Sequence, residues 1–558
     1  MKNIVRKISI LLLFMVFACD MNQDLQNPNE VSLASADVNL LMNGIQLDLS
    51  DFFDNATNAT SPLMRTYAMT GGFRYQTAIQ PQGTNIQEMW RIGYQNILIN
   101  AKTLIPLAEE KNLTTHVGVA KIISAYVYIT LVDVFGDIPQ VTALGGASEF
   151  NPGVTAGSDV YSYAITLLNE ARTELAKTGT AAGGALPRDI YYSGSRAKWA
   201  ALANTLELKA WLNVSMQSSR AAEANTRITT LLASDLIDTE AENFTYKYGT
   251  ATVPVSRHPL YDQYYGPAAG SAGGYMGNYF LYELYNGKGV QDPRWRYYFF
   301  RQVGSIAQAN KIDPKAVGCS KGSIPDLYSS NSNFAKLFCT FDPGFYGRDH
   351  GDASGTPPDS PVITAAGAYP AAGLVDSNPT NNPTYAKTTV RGDGGNGAGI
   401  QPIFMSFYTD YLKAEILARN GDAVGAKTQL ATAISNSITQ VRNFAVSKGQ
   451  ALAAGVEPST ASYQNAVSNL FDAATNKVDV IGREFNVAAF GNGVEQYNSY
   501  RRTSSPRNLP PPIQVNPGVF FRSLVYPSAY VNLNSTSSQK DVNSVNKVFW
   551  DGNPETLN

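Results

Sequence analysis

Apolar positions recur with helical spacing through the first half of the chain. Val160, Ala164, Leu167, Leu168, Ala171 and Leu175 fall at intervals that gather side chains onto one helix face. Ser158-Asp159, just before this stripe, are residue types that cap a helix N-terminus. Residues 195–216, through Trp199, Leu202, Leu206 and Trp211, supply the partner helix. Residues 85–110 and 117–135 form an earlier pair, joined by Lys111 to His116. In its second member Ile122 to Ile129 is apolar almost all round, which predicts a helix buried on every side.

From about 243 to 400 the pattern lapses into an aromatic stretch rich in Gly and Pro. Phe341, Phe345, Tyr346, Tyr369 and Tyr385 lie within it, so it reads as ordered loops packed on a scaffold. Helical spacing returns at 401–441. Ile403, Phe407, Tyr411, Ala414 and Leu417 make one stripe, Asn420-Gly421 ends it, and Asp422 caps the next helix. Helix pairs with such short turns are the unit of tetratricopeptide-like solenoids. The fold class is therefore mainly α, with a helical scaffold at about 35–240 and 401–503. A loop-rich insertion at about 243–400 would present a variable surface on that scaffold. Residues 504–558, rich in Pro and Asn, read as an extended wrap over the scaffold, so 35–558 is expected to form a single domain.

The N-terminus changes the picture from a scaffold to an exported one. Lys2, Arg6 and Lys7 precede an apolar run from Ile8 to Phe17, too short to cross roughly 30 Å of hydrocarbon as a helix. It ends at Val16-Phe17-Ala18-Cys19, similar to the lipobox of bacterial lipoproteins. That resemblance implies a signal peptide over 1–18, cleavage before Cys19, acylation of its thiol, and a polar tether over 19–34. Phe17 departs from the small residue usual at its position, and an ordinary secretory signal is the competing reading. Acyl chains contribute about 0.8 kcal/mol per buried CH₂, enough for two or three to hold a chain at a membrane. With Cys19 so used, Cys319 and Cys339 remain, as a pair or as two separate thiols.

A formal charge of −2 leaves no basic field, which argues against a nucleic-acid partner. Charged residues make up only 16% of the chain, against 31 Tyr and 24 Phe; such a surface suits neutral polar ligands.

Five segments in this order carry a family resemblance: Trp90-Arg91-Ile92-Gly93-Tyr94-Gln95-Asn96-Ile97; Ala125-Tyr126-Val127-Tyr128 running on to Phe135-Gly136-Asp137-Ile138-Pro139; Tyr411-Leu412-Lys413-Ala414-Glu415; Glu495 to Thr503; and Arg522-Ser523-Leu524-Val525-Tyr526-Pro527. They resemble the SusD/RagB family of nutrient-binding outer-membrane lipoproteins of Bacteroidetes. Gly347-Arg348-Asp349-His350-Gly351-Asp352 with Pro357-Pro358-Asp359 is similar to one SusD-like subgroup. The resemblance implies tetratricopeptide-like helix pairs with an inserted, loop-rich ligand-binding half at about 243–400, a surface location, and a SusC-like TonB-dependent transporter as partner. The ligand it implies is an oligosaccharide, with a peptide as the alternative; neither the family nor the sequence calls for catalysis.

The candidate ligand residues are aromatic. Tyr275, Tyr279, Tyr282, Trp295 and Tyr297 lie in the densest run, and glycines around Tyr275 favour its exposure. Phe73, Arg74 and Tyr75, after Gly71-Gly72, form a second cluster. Most rings in such a run are expected to be core, and Trp90 is expected to serve the scaffold. No cofactor is expected. Asp349, Asp352 and Asp359 beside His350 could offer oxygens to a structural calcium, although their spacing matches no EF-hand and loop aspartates commonly cap turns. Gly392 to Gly397 fits a phosphate-loop spelling without the strand and helix that loop needs, so it reads as a flexible loop. His116, His258 and His350 are scattered, and neither H-E-x-x-H nor G-x-S-x-G occurs. A hidden carboxylate pair would make a surface glycoside hydrolase, and a flat apolar patch an adhesion protein; both are weaker readings. Glu495, Arg501 and Arg502 are expected to be buried structural charges.

Overall fold

A computed structural model describes residues 36–69, 81–146, 149–266, 274–313, 324, 326–341, 343–352, 362–513 and 518–558. Helix α1 (Val38–Thr60) starts where the Asp37 carboxylate accepts hydrogen bonds from the N–H groups of Asn39 and Leu40. The predicted helix over 85–110 is three segments: α2 (Thr84–Arg91), a π-helical stretch Ile92–Leu98, and α3 (Ile99–Glu110). Gly93 sits in the π-helical stretch against α1. A Cβ there would lie 3.2 Å from the Phe52 ring. Glycine thus lets two helices approach closely at the Trp-Arg-Ile-Gly-Tyr motif.

Helix α4 (Thr114–Phe135) is the one described helix long and apolar enough to span a membrane, and 94% of its apolar window is buried. It packs against α1, α3, α5 (Gly157–Ala176) and α6 (Arg196–Val214), which makes it the core of the scaffold. Helix α7 (Ala221–Leu232) packs on α6.

The end of α4 shows why its motif has that spelling. Gly136 takes φ +75°, a left-handed value that glycine tolerates, and turns the chain. Asp137 then accepts from the Gly157 N–H at 2.8 Å, and Ile138 pairs with Thr155 across an antiparallel bridge. The Pro139 carbonyl accepts from the Tyr94 hydroxyl at 2.6 Å. The cap of α5 therefore comes from Asp137, twenty positions upstream, and not from Ser158-Asp159 as the local sequence suggests. The helix begins one residue early, so Asp159 lies inside its first turn.

In the loop-rich stretch, helices α8 (Pro259–Tyr265) and α9 (Asn278–Tyr285) are short. Strand β1 (Phe244–Lys247) pairs antiparallel with β6 (Ile400–Phe404), with Lys247 opposite Ile400 and Phe244 opposite Phe404. This ladder staples both ends of the stretch together. Two-residue ribbons lie between: β2 (Phe299–Phe300) pairs with β5 (Ala365–Ala366), and β3 (Thr340–Phe341) with β4 (Phe345–Tyr346). The glycine loop at 392–397 is anchored rather than free. The Tyr261 hydroxyl donates to the Asp393 carbonyl, and a Cβ on Gly394 would lie 2.2 Å from the Gly373 carbonyl.

Helices α10 (Ser406–Arg419) and α11 (Ala423–Ser447) form the third pair. Gly421 at φ +82° makes the turn, and Asp422 accepts from the Gly425 N–H at 2.8 Å. Helices α12 (Thr460–Ala473), α13 (Lys477–Ala488) and α14 (Gly493–Thr503) complete this half, and α14 returns to pack on α1.

The charges expected to be buried are buried. Arg502 pairs with Glu415, Glu495 with Lys209, and Arg501 donates to Asn498 and to the Arg522 carbonyl. Asp133, inside α4, accepts from the Trp550 indole at 2.9 Å, from Asn498 at 2.7 Å and from the Tyr161 hydroxyl. The last of the chain is thereby tied to the first helix pairs. Leu524 N–H donates to the Val134 carbonyl and Tyr526 hydroxyl to that of Asp137, so the C-terminal residues wrap the scaffold. Trp90 is half-buried among Tyr94, Phe135, Tyr526 and Tyr530, a scaffold position.

Candidate functional site

The structure sorts the aromatic run by helix geometry. Tyr279 and Tyr282 are three residues apart on α9, hence on one face. That face borders a cleft of about 730 Å³, closed on its other sides by Phe334 and Leu337, by Val480 and Arg483 of α13, and by Arg507 and Asn508. Tyr282 is half-buried and edge-on to Phe341; Tyr279 is buried, with its hydroxyl donating to Asn508 at 3.0 Å.

The other candidates of the run do not offer free rings. Tyr275 is 2% exposed, against the expectation from its glycine neighbours. Its carbonyl accepts from the Ala68 N–H, and the Arg348 guanidinium sits 5.1 Å from its ring centroid. Gly277, where an added Cβ would lie 1.9 Å from the Arg65 carbonyl oxygen, permits close packing of two loops rather than exposure. Trp295 is fully buried between the guanidinium groups of Arg296 and Arg301, at 4.3 and 5.0 Å. Tyr297 is 1% exposed and donates to Glu457 at 3.1 Å. Phe73, Arg74 and Tyr75 lie outside the described residues, but their flank does not: Met69 accepts from the Gly351 N–H at 2.8 Å. The fold thus brings the bases of three candidate segments, around 69, 275 and 351, into one place.

Two of the three aspartates considered for calcium have partners within the protein. Asp352 is taken by Arg348 at 2.7 Å, one helical turn's spacing away. Asp349 accepts from the Cys339 N–H at 2.7 Å and from Asn278 at 3.0 Å, and burial pushes its carboxyl up to about 7. Asp359 lies outside the described residues, among which no group of three or more His, Cys, Asp or Glu converges. Cys339 is disulfide-bonded; Cys19 and Cys319 both lie outside the described residues.

The cleft floor is a charge network with no trace in the sequence reading. Glu283, on α9, is buried and receives two hydrogen bonds from Arg483, at 2.6 and 2.8 Å. Lys288 lies 3.1 Å from both Glu283 and Glu484, and Arg294 is 3.1 Å from Glu484. Burial alone would raise the Glu283 carboxyl, but Arg483 and Lys288 outweigh it and hold it at about 2. At the rim Arg507 pairs with Asp479 at 2.6 Å and with Glu555 at 2.5 Å. Opposite charges in the floor and rim are thus paired off against each other. Lining groups that can meet a ligand include the Tyr282 ring, the Asn286 amide, the Gly287-Lys288-Gly289 turn and the exposed Lys336. One signal was available: Glu484, three residues after Ile481 and next to Phe485, places a charge on an apolar helix face, which marks a buried carboxylate in need of cations.

Such a cleft can bind an uncharged polar molecule; among the lining residues no nucleophile–base pair is assembled. The chain has counterparts in sequence and in fold. The SusD-like family model described as "Starch-binding associating with outer membrane" matches residues 28–341. A chitin-binding SusD homologue from Flavobacterium johnsoniae is 16% identical, with 92% of this chain and 98% of that one covered at a TM-score of 0.61. A SusD-like protein from Bacteroidetes AC2a is 15% identical, covering 92% and 100% at 0.64. A SusD/RagB family protein from Bacteroides thetaiotaomicron is 16% identical, covering 88% and 95% at 0.60. No curated protein matches. At these identities the solved structures establish the mainly helical fold, and the family match establishes more: this chain belongs to the SusD-like family of starch-binding, outer-membrane-associated proteins.

Proposed function

We propose that this chain is a surface lipoprotein that binds an oligosaccharide in the cleft between α9 and α13 and passes it to a TonB-dependent barrel. The observation that carries the glycan reading is a half-buried tyrosine beside charges that are mostly paired within the protein, in a cleft of about 730 Å³. Sugar rings present CH faces to aromatic rings and hydroxyls to amides, and such a surface does not select for net charge. The volume falls within the range usual for small-molecule sites, roughly 300–1,000 Å³. The starch-binding description of the family and the chitin-binding relative support the same ligand class.

Binding proceeds without chemistry in this reading. Attachment through Cys19 and transfer to a SusC-like transporter rest on the lipobox-like leader and on the family's outer-membrane association. Calorimetry of residues 20–558 against maltooligosaccharides, chitooligosaccharides and a peptide library tests the ligand class. Heat from an oligosaccharide series is expected; heat from peptides alone overturns the reading.

A further inference from the structure

We infer that the binding surface continues past the cleft into a second cavity, so that the ligand is a linear oligomer lying across Arg507. This deepens the glycan reading and rests on it. The second cavity, about 410 Å³, is walled by Pro511, Pro512, Val545, Lys547, Glu555 and Thr556. One ion-paired side chain joins the linings of the two spaces. The Arg507 Nε donates to Asp479, which lines the first cavity. Its Nη1 and Nη2 donate to Glu555, which lines the second, at 2.5 and 3.0 Å.

Geometry makes this junction a saddle rather than a wall. The side chains of Arg507 and Glu555 are each 44% exposed, so their outer faces are open to solvent. A guanidinium locked in plane by two carboxylates presents a flat, polar surface of fixed orientation. It is already neutralised, so it offers hydrogen bonding to hydroxyls without demanding an anion. The second cavity adds proline rings and the half-exposed Val545 as apolar faces. Cavity, saddle and cavity in series suit a chain of repeating, uncharged, two-faced units. They do not suit a compact mono- or disaccharide, which one cavity would satisfy.

The test is the dependence of affinity on length. Maltooligosaccharides and chitooligosaccharides of two to eight units are titrated into residues 20–558 by calorimetry. Affinity in the series that binds is expected to rise, flatten, and rise again as the ligand crosses Arg507. Val545→Trp fills the second cavity from an exposed position and is expected to abolish the second rise, about a tenfold loss for the longest member. Thr556→Trp, at another exposed lining position, should do the same, which guards against one variant failing to fold. A single rise untouched by either substitution overturns the extended surface while leaving the glycan reading intact. An equal loss for short and long members also overturns it. Absence of binding by both series removes the glycan reading and this inference with it.

Discussion

Arg502 grips Glu415 with two hydrogen bonds of 2.8 Å, from Nε to one carboxylate oxygen and from Nη2 to the other, joining α14 to α10. Both side chains are almost fully buried, and Arg419 adds a further bond to the same carboxylate. Removing one partner of such a pair leaves the other charged in a dry interior. Glu415→Gln is therefore expected to lower unfolding free energy by about 3–5 kcal/mol, measured by chemical denaturation. Replacing both partners with apolar residues should cost less than either single change. Additive losses would contradict the pair's role.

The pH dependence follows from two kinds of buried carboxyl. Glu283 and Glu415 are held at about 2, because cationic neighbours outweigh the upward push of burial. Their folded values lie below the ordinary glutamate value. The stability they contribute is complete above roughly 4.5 and is lost as pH falls toward 2. Asp349 runs the other way: burial raises it to about 7, so its proton favours the folded state. Stability from that group is complete below about 4 and declines as pH rises through 7. Glu283→Gln should flatten the acid limb of a stability–pH curve, and Asp349→Asn the limb between 4 and 7. Unchanged limbs would count against these assignments.

Asp137 caps α5 from outside that helix. Asp137→Ala removes the acceptor for the Gly157 N–H, and a loss of about 1 kcal/mol is expected. Ser158→Ala, at the position the local sequence favours, should change stability by no more than a few tenths, since that hydroxyl bonds within the helix to Asp159. Comparison of the two denaturation midpoints decides between the caps.

Cys339 is disulfide-bonded, and in residues 20–558 Cys319 is the one other cysteine. The denatured, unreduced protein should carry no reactive thiol, and two after reduction. Reduction should destabilise the fold by about 2–4 kcal/mol. Two thiols before reduction would contradict the pairing.

Much of the scaffold was legible because its signals are local. The stripe from Val160 to Leu175, the all-apolar Ile122–Ile129 and the Asn420-Gly421-Asp422 turn report helices through near-neighbour spacing alone. The cap of α5 was not legible, because Asp137 acts across twenty positions. The π-helical stretch at Ile92–Leu98 likewise depends on packing against α1. The site divides the same way. Tyr279 and Tyr282 share a face by their spacing, whereas Tyr275 is covered by Arg348 from a distant segment and Trp295 by Arg296 and Arg301 as the chain turns back over it. Composition marks where aromatic rings are dense, but tertiary contacts decide which of them meet solvent. Asp352 is likewise engaged by Arg348, a pairing that the loop's composition does not announce.

The central claim is that Tyr282 and its cleft hold an oligosaccharide. Calorimetric titration of the tightest-binding oligosaccharide into the wild-type protein and Tyr282→Ala, both checked for equal melting temperature, tests it most directly. A loss of about 1–3 kcal/mol in binding, roughly tenfold to a hundredfold in affinity, is the predicted result. Unchanged affinity in Tyr282→Ala would contradict it.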